Sequence, residues 1–287
     1  MGLEGEVNRV YRGLRRRINR GKPLDSYPFL SGDSYFFSCQ FYFESGLLRR
    51  VPAKRGRVQK DSSLFVRIGE LVRFVSYLKD NAEEKFSDTT LVLHNGDDNI
   101  PENLLKLLAT RFRRIYAVNL LQESQSFSPI PIGLENRNLF TNGVPIDFEK
   151  SLASNRKNPQ DRTTLVLQAF SVNTNREERE NCITVASQLG SRRLQHATPF
   201  EYRRALSESK FVLSPAGNGY DCHRTWEAMY LGAIPILRRV HWPFINRNLP
   251  VLLVDEWENL LELDLSSITV PHNPTWSEDF WNSFYND

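Results

Sequence analysis

Cysteine is scarce in this chain: among 287 residues there are three, Cys39, Cys182 and Cys222. The number is odd and no CxxC pair occurs. That argues against a disulfide framework and against a zinc site of ordinary spacing, and favours a reducing compartment. Long apolar runs are missing as well. Nothing approaches the roughly 20 apolar residues of a spanning helix, and the N-terminal stretch has no apolar segment of signal-peptide length. One-signed charge is also lacking. A net charge of +3 does not suggest a nucleic-acid binder, which concentrates positive charge on one face. Internal repeats and low-complexity tracts are absent.

What remains is an ordinary globular composition, 40% hydrophobic and 25% charged. The length allows one large domain or two modest ones, each with its own core. The mildly basic balance suits a pocket that receives a diphosphate. One local run, Arg12 to Arg20, has two readings: contact with an anionic membrane or acidic substrate, or the solvated face of a helix. The second is the commoner case.

Apolar runs alternate with helical patterns. In the first half, residues 35–42 (YFFSCQFY) read as a strand. Residues 64–78 read as a helix with Ile68, Leu71, Val72 and Val75 on one face. Residues 90–94 (TLVLH) read as a buried strand that ends in a polar loop. Pro101 suits the first turn of the next helix. Residues 115–120 and 130–132 read as further strands.

Residues 152–162 (LASNRKNPQDR) are polar, contain a proline and read as a linker. The grammar then repeats: strand 164–169 (TLVLQA), helix 177–189, helix 199–207, strand 210–214 (KFVLS), helix 222–231 ended by Gly232, and strands 234–237 and 251–254. Alternation of this kind predicts an α/β fold with parallel sheets covered on both faces. The expected division is 1–152, 153–273, and a closing helix over 274–287 whose Trp276, Phe280 and Phe284 share one face. Ligands of such folds sit outside the carboxyl ends of the strands. The loops after TLVLH, TLVLQA and KFVLS are therefore where chemistry is expected.

The most informative segment is 210–237, KFVLSPAGNGYDCHRTWEAMYLGAIPIL. A strand runs into a loop holding Ser214, Gly217, Asn218 and Gly219, and a helix follows. Glycines let backbone approach a ligand, and free N–H groups at a helix start favour phosphate. The loop is not a GxGxxG fingerprint, because Cys222 stands where the third glycine would be; a plain strand-to-helix turn is the alternative. Asp221 suits an N-cap. Arg224 and Glu227, three apart, share a helix face. Arg224 can neutralise a phosphate and Glu227 can accept from two ribose hydroxyls, unless the two simply pair with each other. Trp226, Met229 and Tyr230 read as core.

The run SPAGNGYDCHRTWEAMYLGAIPI resembles the C-terminal signature of the exostosin-like glycosyltransferases (glycosyltransferase family 47 and relatives). Those proteins carry a Ser-Pro-x-Gly-Asn-Gly-like loop, an Arg-x-Trp-Glu-Ala-like helix and a Gly-x-Ile-Pro strand. LHNGDDNIP (93–101), PIPIGLENR (129–137) and FSVNTNREER (170–179) fit the resemblance more loosely. It implies a GT-B fold of two facing Rossmann-like domains, with the C-terminal helix crossing back or capping the second core. It implies an inverting transfer from a nucleotide-sugar, a UDP-sugar such as UDP-xylose, to an acceptor glycan or glycoprotein, without an essential metal or other cofactor. It places Ser214, Gly217, Asn218, Gly219, Asp221, Arg224 and Glu227 at the donor. Asn173, Asn175, Arg179 and Arg137 are placed on the same donor. Typical eukaryotic members are longer and membrane-anchored. A compact, soluble bacterial or viral enzyme of the cytoplasm, the host's if viral, is the expectation for this chain.

Chemistry supports the metal-free expectation: fixed arginines and helix dipoles can stabilise a departing diphosphate as a divalent ion does. Inversion also needs a base for the acceptor hydroxyl. Asp97 is the first candidate and His94 the second, with Asp98, Asp33 and Glu44 also available. His94 also fits a packed strand-end histidine, and Asp97 and Asp98 fit a turn before Pro101. Asp97–Asn99 resembles a metal-binding DxD only loosely. Two rival readings are a nucleotide-cofactor enzyme such as a dehydrogenase and a non-catalytic carbohydrate-binding protein.

Overall fold

The structure, a computed structural model, describes residues 3–19, 22–53, 60–154, 158–244, 247 and 249–269. The closing helix expected over 274–287 lies outside the described residues. The chain divides into two compact units, Met1–Pro145 and Ile146–Asp287.

The first unit contains α1 (Leu3–Ile18), α2 (Gly32–Ser38), β1 (Cys39–Glu44), β2 (Leu47–Arg50), β3 (Lys60–Arg67), α3 (Leu71–Asp80), β4 (Thr90–His94), α4 (Glu102–Ala109), β5 (Arg114–Ala117) and β6 (Phe127–Pro129). Its sheet runs β2-β1-β3-β4-β5-β6. Only the β1–β2 hairpin is antiparallel; the other neighbours are parallel. β4 is buried along its whole length, as a central parallel strand must be when both faces are covered.

The division falls after the first residue of α5 (Pro145–Ser154), and the second unit continues with β7 (Thr164–Gln168), α6 (Arg176–Gln188), β8 (Arg192–Arg193), α7 (Pro199–Glu208), β9 (Ser209–Leu213), α8 (His223–Tyr230), β10 (Ile234–Arg238) and β11 (Leu252–Val254). All its strands are parallel, in the order β11-β10-β9-β7-β8. The chain leaves β7 for β8 on one side, then returns to β9 on the other. The gap between β7 and β9 is thus a topological switch point, the place where open α/β sheets bind ligands. Trp226, Met229 and Tyr230 are buried as expected, Trp226 completely. A fully buried aromatic of that size contributes roughly 1.5–3 kcal/mol.

Mixed α/β units with parallel sheets are compatible with Rossmann-like folds. Several element assignments change. The aromatic run read as a strand is mostly α2. Ser31 and Ser34 form a capping box that starts a helix, and Tyr35, Phe36 and Phe37 are all buried. A helix buried on every side shows no 3.6-residue periodicity to read.

The helix expected over 64–78 begins only at Leu71, because Leu64, Phe65 and Val66 belong to the buried strand β3. Its buried face is Leu71, Phe74 and Leu78, whereas Val72 is 82% exposed. The strand expected over 130–132 sits earlier, as β6. Of the residues read as a linker, 152–154 complete α5 and Pro159–Asp161 form a short 3-10 turn. Gly232, at φ 77°, follows α8 in the left-handed conformation that ends it.

Candidate functional site

The switch point of the second unit gathers most of the residues the sequence singles out. β7 ends at Gln168 and delivers Phe170 and Ser171 to the loop; β9 ends at Leu213 and delivers Ser214 to Gly219. Arg224, from the first turn of α8, donates through Nε to Ala169 O at 3.2 Å. Its Nη1 reaches Ser214 Oγ and Pro215 O at 3.5 Å each. Arg179, from α6, donates through Nε to Ala216 O at 3.0 Å and through Nη1 to Ser171 O. The two guanidiniums therefore staple the β7 loop to the β9 loop. Both also rest on Phe170, with their central carbons 5.1 Å (Arg224) and 5.8 Å (Arg179) from the ring centroid.

All of these acceptors are neutral carbonyls or a hydroxyl. Among the described residues neither arginine has a carboxylate partner. Arg179 is buried, and its pKa is lowered first by desolvation and then by the charge of Arg224. Two neighbouring cations without a carboxylate partner, at the carboxyl end of a parallel sheet, form an arrangement that can receive an anion. The Arg224–Glu227 pairing that the helix spacing allows is not made.

Glu227 instead lies buried, and its Oε2 accepts from the Tyr202 hydroxyl of α7 at 2.7 Å. Tyr202 did not stand out in the sequence; only its return toward α8 gives it a role. Asp221 is not the N-cap of α8. Cys222 holds that position, without a side-chain capping bond. Both Asp221 carboxylate oxygens accept from Trp226 Nε1, at 2.8 and 2.9 Å, so the carboxylate fixes the indole beneath the loop. Ser214 Oγ shares a hydrogen bond of 2.8 Å with Thr225 Oγ1. Gly219 is buried and Asn218 exposed; Asn173 is exposed and Asn175 half-buried.

The first unit assembles a separate polar cluster at the carboxyl end of β4. His94 is buried. Its Nδ1 lies 2.7 Å from the Asn95 N–H, and its Nε2 lies 3.1 Å from Pro131 O. This is the packed strand-end histidine. Asn136 Nδ2 donates to Asn95 Oδ1, and Asn136 Oδ1 accepts from the Asp33 N–H, both at 3.0 Å. A Cβ on Gly32 would collide with the Asn95 side chain, so only glycine lets α2 come this close.

Asp33 is buried beside that junction, its Oδ2 accepting from Leu24 N at 2.9 Å. Burial raises its pKa from 3.8 to about 6, against the pull of the Leu24 N–H and of Arg67; Asp25 adds to the rise. The sequence named Asp33 without favouring it, since only burial distinguishes it from other aspartates. Asp97 and Asp98 are exposed on the loop after β4. Asn119 Nδ2 bonds the carbonyls of Gly96 and Asp97 at 3.4 Å each and fixes that loop. Glu44 faces Arg67 at 3.9 Å on the surface. Arg137 is half-buried in the first unit; its Nη1 donates to Asp25 O at 3.1 Å, and its Nε is buried with no hydrogen-bond partner. Among the described residues, no three His, Cys, Asp or Glu side chains converge as a metal site would require.

Residues 158–264 match the family model of the RXYLT1 C-terminal domain, a xylosyltransferase domain of exostosin-like type. The match covers less than half of the chain and includes the whole switch-point cluster. It supports a glycosyltransferase-like family, with a sugar donor and a glycan acceptor as the partners such a family implies. No curated protein matches the chain. Among the described residues no helix is long and apolar enough to cross a membrane.

Proposed function

We propose that the protein is an inverting, metal-independent glycosyltransferase that uses a UDP-sugar, with UDP-xylose the first donor to test. One observation carries the reading. Arg179 and Arg224 stand as cations without a carboxylate partner among the described residues, beside the Gly217 loop and at the switch point of a parallel sheet. A diphosphate is the anion that such a pair and a glycine loop suit. The xylose choice follows the name of the matching family model.

In this reading Arg179 and Arg224 neutralise the departing diphosphate, which removes the need for a divalent ion. Glu227, oriented by Tyr202, accepts from the ribose hydroxyls. Ser214, Gly217, Asn218, Gly219, Asn173 and Asn175 frame the donor. An acceptor hydroxyl attacks the anomeric carbon as the sugar–phosphate bond breaks. Its proton passes to a carboxylate base, for which Asp97 is the proposed residue, and UDP leaves. His94, its ring nitrogens engaged, holds the loop that presents Asp97.

The test is a thermal-shift screen with UDP-sugars, UDP and NAD. A ligand at 100 times its dissociation constant adds roughly 2.7 kcal/mol. A shift with UDP-sugars followed by sugar transfer is the expected result. A shift with NAD alone selects a dehydrogenase-type enzyme, and binding without turnover selects a carbohydrate-binding protein.

A further inference from the structure

The helix α1 carries a surface that the transfer reaction does not use. Tyr11, Leu14 and Ile18 fall at i, i+3 and i+7 and so share one helix face. They do not pack on the unit: they are 49%, 57% and 58% exposed. In the sequence the same spacing continues upstream at Val7. Arg15 and Arg17, both exposed in the last turn of the helix, flank this stripe on either side, and exposed Arg16 lies on the opposite face, next to Arg12. The Arg15 guanidinium lies 5.2 Å from the Tyr11 ring centroid. Residues 11–19 contain four arginines and no acidic residue. An ordinary solvated helix face would balance its cations with acids and turn its apolar residues inward.

α1 is also held in place. Arg12 Nη1 donates to Phe140 O and Thr141 O at 3.4 and 3.3 Å. That tether fixes the helix to the first unit and leaves the Tyr11–Leu14–Ile18 stripe outward.

We propose that this face of α1 docks on an anionic phospholipid surface. Tyr11, Leu14 and Ile18 enter the boundary between headgroups and acyl chains, while Arg15 and Arg17 meet the lipid phosphates and carboxylates and Arg16, behind them, adds to the attraction within a Debye length. An apolar stripe flanked by arginines is the pattern of an interfacial helix, which lies in the membrane plane rather than crossing it. Charge complementarity selects this occupant. A second copy would bring two arginine clusters together. A nucleic acid would satisfy the arginines and leave the leucine and isoleucine in water.

The experiment is co-sedimentation of the full chain with vesicles. One set is phosphatidylcholine alone and the other contains about a third phosphatidylserine, an anionic content that attracts basic segments. The protein is expected to sediment with the anionic vesicles, to remain in solution with the neutral ones, and to be released at about 0.5 M salt by screening. R15Q/R16Q/R17Q should lower partitioning ~100-fold. L14S/I18S should lower it at least ~10-fold with the arginines intact. All five positions are exposed, so circular dichroism should match the parent.

Three results overturn the proposal: equal binding to neutral vesicles, no binding by the parent chain, or unchanged binding by either variant. Analytical ultracentrifugation without lipid supplies the fourth. A dimer abolished by L14S/I18S would assign the stripe to a second copy instead.

Discussion

Arg179 leaves no room for a side chain at Gly217: a Cβ there would stand 2.8 Å from Arg179 Nη2. The guanidinium cannot swing aside freely, because Nε and Nη1 are tied to Ala216 O and Ser171 O. Sequence, loop shape and charge placement thus depend on one another at this point. Gly217→Ala should displace Arg179 and weaken UDP binding about 10-fold, the scale of one hydrogen bond to a charged group. Isothermal titration with UDP measures this. Parental affinity in a folded variant would mean that the Arg179 position does not matter to the donor.

Arg224 and Glu227 should separate the two ends of the nucleotide. Arg224→Ala removes a charge aimed at phosphate, so UDP affinity should fall ~10-fold or more while uridine binds as before. Glu227→Gln removes acceptor capacity at the ribose, so both UDP and uridine should weaken. Glutamine is the better substitution than alanine, because Glu227 is buried. Tyr202→Phe takes away the donor that Glu227 Oε2 receives at 2.7 Å. It should lower stability by ~1–3 kcal/mol and weaken uridine binding along with it. Identical losses for uridine and UDP in Arg224→Ala would show that the arginine only holds the loops together.

The second unit was more legible than the first. Its strands and helices alternate, and capping cues such as the Thr198–Glu201 box and Gly232 mark their ends. The candidate donor cluster was legible for the same reason: Ser214 to Glu227 lie in one continuous strand, loop and helix. Arg179 comes from 35 residues away, and only the family resemblance pointed to it before the fold brought it to Ala216. In the first unit, α2 and β3 each carry a short buried apolar run, Tyr35–Phe37 and Leu64–Val66, and runs that short have no period by which to tell strand from helix. Tyr202 could not be singled out, and Asp33 could be named as a carboxylate but not preferred over the others. The role of each depends on burial and on a partner that sequence spacing does not reveal.

The metal-free reading makes a direct prediction. Transfer should survive EDTA, because Arg179 and Arg224 supply the charge that a divalent ion would bring. Complete loss restored by Mn²⁺ would sink it and make residues 97–99 the first ligands to test. Within the same assay Asp97→Asn should lower turnover by about 10²- to 10⁴-fold, the usual contribution of a positioned base, with UDP affinity unchanged. Asp97 is exposed, so the substitution should leave the melting temperature where it is. Full turnover by Asp97→Asn would move the base to another carboxylate of the first unit, and Asp33 is the next to examine.

Asp33 carries a pH signature that can be measured without any substrate. Its folded pKa is about 6 against an ordinary 3.8. Below pH 3.8 the carboxyl is protonated in both the folded and unfolded chain, and the buried group is neutral. As pH rises toward 6 the unfolded chain releases its proton first, so the folded state loses stability relative to it. Above about pH 6 the charge is buried and the loss is complete. A shift of about two units corresponds to ~3 kcal/mol, an upper bound for this single group. Asp33→Asn keeps an oxygen to accept from Leu24 N and removes the charge. At pH 7.5 the variant should therefore be more stable than the parent by up to ~3 kcal/mol, and the difference should vanish near pH 4. Urea unfolding at pH 4, 5, 6 and 7.5 gives both curves. A variant no more stable than the parent at pH 7.5 would mean that Leu24 and Arg67 outweigh the burial of the charge. The predicted gain also bears on function. A carboxylate whose pKa burial raises toward 6 is also the kind of group that serves as a general base, which makes Asp33 the next candidate after Asp97 for the proposed proton transfer. If Asp33→Asn gains stability and loses transfer together, with Asp97→Asn still active, and the pH–rate profile of the parent shows a basic limb near 6, the assignment of the base moves from Asp97 to Asp33.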